Sequence, residues 1–278
     1  MFSFIPKLYD VIFAQPIVNL LVIFYQVFGF LKIPGAFGFS IISLTIFIRL
    51  ILHPFFHQQM QTAKKMQDLK PHLDRLTAKH KGDPKMLQQE QLKLYKQAGI
   101  NPASGCLFMI VQFPVFIALY QTLILFLKDN SSKAIVEISK HLYSFVKISS
   151  INPTFFGFNL AQTPQKAAIW YYYLIPFLTA FLQYYQVKVS TPATQPALAE
   201  IKKDDQNPQE KKQGEQGDFQ KAMNTQMKFI FPLLIGWFSF SLPVGLSIYW
   251  NVFSLFSIIQ YGRINSNPPA GGQSSNIK

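Results

Sequence analysis

Arg49 is the residue in this chain that most needs a chemical explanation. It lies near the middle of GFSIISLTIFIRLILHPFF, residues 38–56, a stretch apolar for long enough to cross the roughly 30 Å hydrocarbon core of a bilayer as a helix. A guanidinium at the centre of such a span costs about 2.5–3.5 kcal/mol on insertion scales, so it needs an exit or a purpose. The exit is snorkelling: Pro54 marks the expected edge of the span, roughly 7 Å further by helical rise, nearly within reach of an arginine side chain. The purpose is a water-filled cavity inside the protein, where an intramembrane cation lines a pathway or binds something of opposite charge. Thr45 falls one turn earlier on the same face, and Ser43 and Ser40 add hydroxyls nearby. The chemistry on offer is charge attraction rather than bond making.

Other reactive residues do not assemble. His53 and His57 have metal-like spacing on a helix, but no third ligand or general-base glutamate accompanies them and Pro54 intervenes. They read as two interfacial histidines near the end of the span. The Ser and Thr residues of the apolar segments lack a His/Asp partner there, so no nucleophilic triad is expected. The single Cys106 sits in an apolar run and excludes an intrachain disulfide. No catalytic residue, metal or cofactor is expected, and the chain does not read as an enzyme.

About half of the 278 residues are hydrophobic, only 14% are charged, and 28 are phenylalanine. Soluble chains average about 25% charged, so this is a membrane protein. Residues 1–37 contain an apolar stretch, 11–31, interrupted by Gln15, Pro16, Asn19 and Gln26. It is read as an amphipathic helix lying in the extracytoplasmic interface, with a tilted extra span as the alternative. No cleavable signal peptide is expected, since Lys7 and Asp10 stand where a basic cluster would.

Spans are expected over about 38–56, 105–127, 168–187, 224–241 and 244–262. Pro114 is expected to kink the second, and Leu242-Pro243-Val244-Gly245 is a tight turn dividing the last two. Trp170 to Tyr173 and Tyr184 with Tyr185 mark the two water interfaces of the third. Residues 57–98 predict a helical hairpin split at Lys81-Gly82-Asp83-Pro84, with Met60, Met66, Leu69, Leu73 and Leu76 facing Met86, Leu92 and Tyr95. Residues 134–148 allow a surface helix. A polar loop, 189–222, and a tail, 263–278, are expected to be disordered.

The net charge of +13 is not spread evenly. Of the 26 Lys and Arg residues, nine lie in the hairpin, seven from Lys188 to Lys228 and two in the tail, against seven on the opposite side. Positive loops face the cytoplasm, so the N-terminus is outside and the C-terminus inside. That distribution also makes direct nucleic-acid recognition a poor explanation of the charge. Besides a membrane arginine that binds something of opposite charge, the residues themselves leave two other classes: first, a pure assembly scaffold in which packing surfaces matter and Arg49 does not, and second, a small-solute or anion channel or transporter. Against the second, no inverted repeat or paired intramembrane acids are present, although Pro114, Pro176 and Pro232 interrupt spans.

The ordered motifs resemble the YidC/Oxa1/Alb3 family of membrane protein insertases. They are Thr45-x-x-x-Arg49-x-x-x-x-Pro54; Gln91-Leu-Lys-Leu-Tyr-Lys96 leading into Gly99-Ile-Asn-Pro102 and Gly105-Cys-Leu107; Gln112-x-Pro114 with Tyr120; Gln183; and Pro243-x-Gly-Leu-x-x-Tyr-Trp250-Asn251. The resemblance covers residues 16–262 and departs at Phe108, where the family commonly has proline. It implies an all-α polytopic fold of five transmembrane helices around a hydrophilic groove open to the cytoplasm, with a cytoplasmic helical hairpin and an N-terminal interfacial helix. It places Arg49, Thr45, Gln183, Trp250 and Tyr249 in the substrate groove. The implied partners are nascent membrane proteins, the lipid bilayer and, beyond these, the ribosome and the Sec translocon. The implied location is the bacterial inner or plasma membrane. With only Arg263 and Lys278 in the tail, ribosome contact would fall to the hairpin.

Overall fold

The computed structural model describes residues 8–80, 82–100, 104–127, 132–190 and 229–266. Most of the expected polar loop and tail, the first part of the fourth span, Lys81, and Asn101 with Pro102 lie outside the described residues, as do the side chains of Gly105, Cys106, Leu107 and Gln112. Helix dominates what is described, with one two-stranded hairpin. Two compact units are present, one comprising Met1–His53, Leu107–Gln183 and Leu233–Phe256, the other Pro54–Cys106, Tyr184–Pro232 and Ser257–Lys278.

In the first unit a π-helical turn, Asp10–Ala14, leads into α1, Gln15–Phe30. Helix α2, Ala36–Ile51, follows and packs along α1. Helix α2 ends at Ile51, within the stretch 38–56 expected to span, and α3, His53–Asp68, begins after Leu52. Proline explains the position of the break. It lacks an N–H and is tolerated in the first turn of a helix, so Pro54 starts α3 rather than ending α2. Helix α6, Ser104–Leu127, carries Pro114 inside it. The loop after it contains α7, Ser132–Ser139, shorter than the stretch to residue 148 that the sequence allows. Strands β1, Thr154–Phe155, and β2, Phe158–Asn159, pair antiparallel, and α8, Pro164–Ala167, follows.

A 3₁₀ turn, Trp170–Tyr173, opens α9, Leu174–Ser190; α10 is Phe231–Ser241 and α11 is Val244–Ser266. The tight turn between the last two is capped from the loop: Val244 and Gly245 donate their backbone N–H groups to the carbonyls of Gln162 and Leu160, both at 3.0 Å. These are donors that the start of a helix leaves without an intrahelical partner. The apolar core of this unit joins Leu21 and Val22 of α1, Ile41 and Leu44 of α2, Leu119 and Leu123 of α6, and Leu246 of α11.

The second unit holds the hairpin, formed by α4, Lys70–Lys79, and α5, Pro84–Gln97. Asp83 caps α5 by accepting from the Met86 N–H at 3.0 Å, and Pro84 occupies its first turn. Leu69 and Leu73 meet Leu94 and Ile100, the pairing of two antiparallel helices. The apolar stripe on α5 differs from the expected one. Leu87 and Leu94 are buried two turns apart, whereas Met86 and Leu92 are exposed. Leu87 and Leu94, seven residues apart, share one face of the helix, and it is that face that is buried.

By length and composition, two described helices suffice to cross a membrane, Asp10–Phe30 and Val244–Ile264, and α2 with α3 makes a third if taken as one broken span. The chain is thus a largely helical membrane protein.

Candidate functional site

The site is organised by two adjacent turns of α11. Tyr249 with Trp250, and Phe253 with Ser254 one turn later, lie on one side of it, and three other helices bring side chains to them. From α2, the Arg49 guanidinium lies over the Phe253 ring, 3.7 Å from its centroid, and its Nη2 donates to the Phe253 carbonyl at 3.2 Å. From α9, the Gln183 Oε1 accepts from the Ser254 hydroxyl at 3.2 Å. From α6, Phe116 stacks on Trp250 with centroids 5.8 Å apart and planes at 8°, and lies 6.4 Å from the Tyr249 ring.

Arg49 is only 4% exposed, which rules out an arrangement in which the side chain points into acyl chains. It sits in the last turn of α2, not mid-helix as the longer expected span implied. A cation there faces the negative end of the helix dipole, worth typically 0.3–1 kcal/mol and more when partly buried. The Phe253 face adds a cation–π attraction of about 0.5–2 kcal/mol, larger as water is removed. Thr45 is buried one turn before Arg49, and its hydroxyl turns back to the Ile41 carbonyl at 2.7 Å. Ser40 does the same to Ala36 at 2.6 Å. Two of the three hydroxyls expected beside the cation, those of Thr45 and Ser40, are therefore bonded to their own helix.

Of the residues expected from sequence, Arg49 and Gln183 reach α11 at Phe253 and Ser254, one turn after Tyr249 and Trp250, which meet Phe116, and Thr45 lies one turn before Arg49 on α2. Phe253, Ser254 and Phe116 were not anticipated. Stepping one turn along α11 from Tyr249 and Trp250 lands on Phe253 and Ser254, which is the signal that would have found them. A second polar contact ties α10 to α11, the Ser239 and Ser247 hydroxyls 2.6 Å apart and fully buried. The other unit places the His57 ring 2.9 Å from the Gln61 amide. Among the described residues no cluster of three metal-ligating side chains occurs.

The family model described as 60Kd inner membrane protein matches residues 29–270, which takes in every residue of this site. The chain belongs to that family, the YidC/Oxa1/Alb3 family. The inner membrane ALBINO3-like protein 2 of Chlamydomonas reinhardtii is 32% identical over 236 residues, 81% of this chain and 49% of the relative. The membrane protein insertase YidC of Helicobacter pylori (strain ATCC 700392 / 26695) is 30% identical over 268 residues, 94% of this chain and 39% of the relative. That of Caulobacter vibrioides is 42% identical over a shorter 111 residues, 40% of this chain and 17% of the relative. The chain spans about half or less of the length of these relatives.

Proposed function

We propose that this chain is a membrane protein insertase. It receives the hydrophilic part of a nascent membrane protein among its spans and releases the apolar segment sideways into lipid. The observation that carries the reading is the convergence of α2, α6 and α9 on two adjacent turns of α11, with Arg49 buried there. Among the partners of Arg49 there are a neutral carbonyl and a neutral ring. A substrate carboxylate forms a charge-assisted, bidentate bond with a guanidinium that is stronger than either, so it competes for Arg49 by displacing Phe253. None of the five spans contains Asp or Glu. An acidic tail entering among them meets a cation and no repelling carboxylate.

The five spans would enclose a groove open to the cytoplasm, lined by Arg49, Thr45, Gln183, Trp250 and Tyr249. Water in that groove shortens the hydrophobic distance a polar tail must cross. No covalent step is needed. The driving free energy is burial of the substrate's apolar surface in lipid, about 25 cal/mol per Å², with the membrane potential acting on charged tails. The partners are nascent membrane proteins and the bilayer, with the hairpin as first capture surface and the ribosome and Sec translocon as neighbours. The setting is a bacterial inner or plasma membrane, N-terminus outside and C-terminus cytoplasmic.

Hydrogen bonds support an interfacial α1. Asp10, Asn19, Tyr25 and Gln26 are bonded respectively to His141, to His141 and Tyr143, to Asn152 and to Lys147, all in one loop. From Asp10 to Gln26 the helix rises about 24 Å. A loop on one side of a bilayer stays beside such a helix throughout only if the helix lies along that side.

The test is reconstitution in liposomes with a stalled single-span substrate carrying a short acidic tail, and photo-crosslinkers at Thr45, Gln183 and Trp250. The expected result is protease-protected product above the level of empty liposomes, with crosslinks from all three positions. Insertion without any of these crosslinks sinks the groove, and anion flux without insertion moves the chain to the transporter class.

A further inference from the structure

The loop preceding α9 carries apolar side chains in a place where solvent would disfavour them. At the β1–β2 turn Phe156 has φ +45° and Gly157 φ +84°, the pair of left-handed residues that a two-residue type I′ turn requires. Glycine or asparagine is the ordinary choice at the first of these, and a bulky aromatic is a backbone outlier. Phe156 nevertheless stands there, 73% exposed. From Ile148 to Gln165 the sequence contains no charged residue and no histidine.

The hairpin is held rigidly at the ends of two spans. Phe155 seats its ring over Gly35 and Gly38 at the start of α2, where a Cβ on either glycine would overlap that ring. Phe39 of α2 contacts Phe155 and Phe156 with centroids 5.3 Å and 6.0 Å away. On the other side Phe158 packs edge-on against Tyr171 and Tyr172, at 5.1 Å and 5.0 Å, and the Asn159 N–H donates to the Tyr172 hydroxyl at 2.7 Å. Beside them Trp170 is 75% exposed, and Phe30, at the end of α1, is 86% exposed. Exposed Trp and Tyr at the end of a spanning helix mark the depth of the lipid headgroups. The aromatic surface is therefore continuous with the ends of α2 and α9 at that depth.

We propose that the hairpin Thr154–Asn159 is a membrane anchor, its Phe156 tip embedded in the headgroup–acyl boundary of the bilayer leaflet at the N-terminal ends of α2 and α9. The occupant of this surface is phospholipid. A strained aromatic turn without charges gains nothing in water, and at this depth it buries its ring. The anchor fixes the depth of α2 through Gly38, and Arg49 then lies about 16 Å deeper by helical rise, about half the thickness of the hydrocarbon core. The inference rests on α2 and α9 crossing the bilayer, but not on insertase activity.

The experiment uses the full chain in phosphatidylcholine–phosphatidylglycerol nanodiscs, in a Cys106→Ser background, with an environment-sensitive fluorophore on Phe156→Cys. Leu255→Cys on α11 and Glu137→Cys on α7 are the lipid and water references; both positions are exposed. A label on Phe156→Cys is expected to be quenched at least twofold more by lipids with a shallow nitroxide than by those with a deep one, and to resist aqueous iodide. Iodide quenching equal to that at Glu137→Cys overturns the anchor. So does quenching that depends on protein-to-lipid ratio, which would assign the surface to a second copy. If Leu255→Cys is also unquenched by lipid, the spanning assignment fails with it. In a second variant Phe156→Asn, whose side chain suits the left-handed turn, a label at Thr154→Cys should lose at least half its lipid quenching. Unchanged quenching there overturns the role given to Phe156.

Discussion

At the scale of single residues, Arg49 combines charge, a flat face and directed N–H groups, and the site uses all three. Its planar guanidinium lies on Phe253 while one nitrogen reaches the carbonyl of the same residue. An ammonium cannot do both. At 4 Å and an effective dielectric of about 20 a substrate carboxylate gains about 4 kcal/mol of attraction, of which desolvation removes a large part. Retaining only about 1.4 kcal/mol is a tenfold effect. Arg49→Glu is therefore expected to lower the initial rate of protease-protected insertion of acidic-tailed substrates by roughly tenfold or more. Arg49→Lys should recover part of that rate, and neutral-tailed substrates should respond to neither. Wild-type rates with a folded Arg49→Glu protein would detach this charge from insertion. Arg49 was legible in the sequence because a cation in an apolar run is conspicuous. Phe253 and Ser254 were not, since a phenylalanine and a serine on an apolar helix look like lipid-facing bulk and filler. Their significance appears only when α2 and α9 are seen to meet them.

At the scale of elements, close approach decides two contacts. A Cβ added to Gly236 of α10 would lie 2.6 Å from the Ala180 Cβ and 3.4 Å from the Pro176 carbonyl of α9. Small residues let membrane helices approach this closely, so Gly236→Val is expected to lower the unfolding free energy in detergent by about 1–3 kcal/mol through overpacking. An unchanged thermal midpoint would mean that α9 and α10 are free to separate. On the hairpin, Lys93 bonds Glu90 at 2.6 Å, and this bond, opposed by slight desolvation and aided by the charges of Lys93, His80 and Lys79, holds the Glu90 carboxyl below its ordinary value. A lowered carboxyl stabilises the fold above the unfolded value, and that contribution fades as pH falls through the folded value. Lys93→Ala should return the Glu90 titration, followed by carboxyl NMR, toward the ordinary range; an unmoved titration would deny the pairing. Here sequence periodicity was a partial guide. It found both helices and the Asp83-Pro84 start, but assigned Met86 and Leu92 inward because each is apolar, whereas packing buries the face that carries Leu87 and Leu94.

At the scale of the whole molecule, the question is how a chain of apolar helices is laid against the bilayer. Gln15, Asn19 and Gln26 interrupt the first apolar stretch, and in the structure each becomes a hydrogen-bond donor, Gln15 to Asp10 at 3.0 Å, Asn19 to the His141 carbonyl at 2.9 Å and Gln26 to the Lys147 carbonyl. The same three positions fall on one face of α1, at i, i+4 and i+11. Length alone cannot decide the placement, because Asp10–Phe30 is also long and apolar enough to cross. The interfacial reading rests instead on two residues of the polar face, Asn19 and Gln26, both bonded to a single loop. Cysteine labelling separates the two arrangements cleanly. In a Cys106→Ser background, Val11→Cys and Lys32→Cys place probes at exposed positions near the two ends of this segment, about 30 Å apart by helical rise. An interfacial helix leaves both ends on the extracytoplasmic side, so a membrane-impermeant maleimide added outside sealed right-side-out cells should label both, while Lys85→Cys on the hairpin reacts only after permeabilisation. Labelling of one end from outside and the other only from inside would make α1 a span. Reversal of the whole pattern would instead overturn the orientation that the lysine and arginine distribution supports.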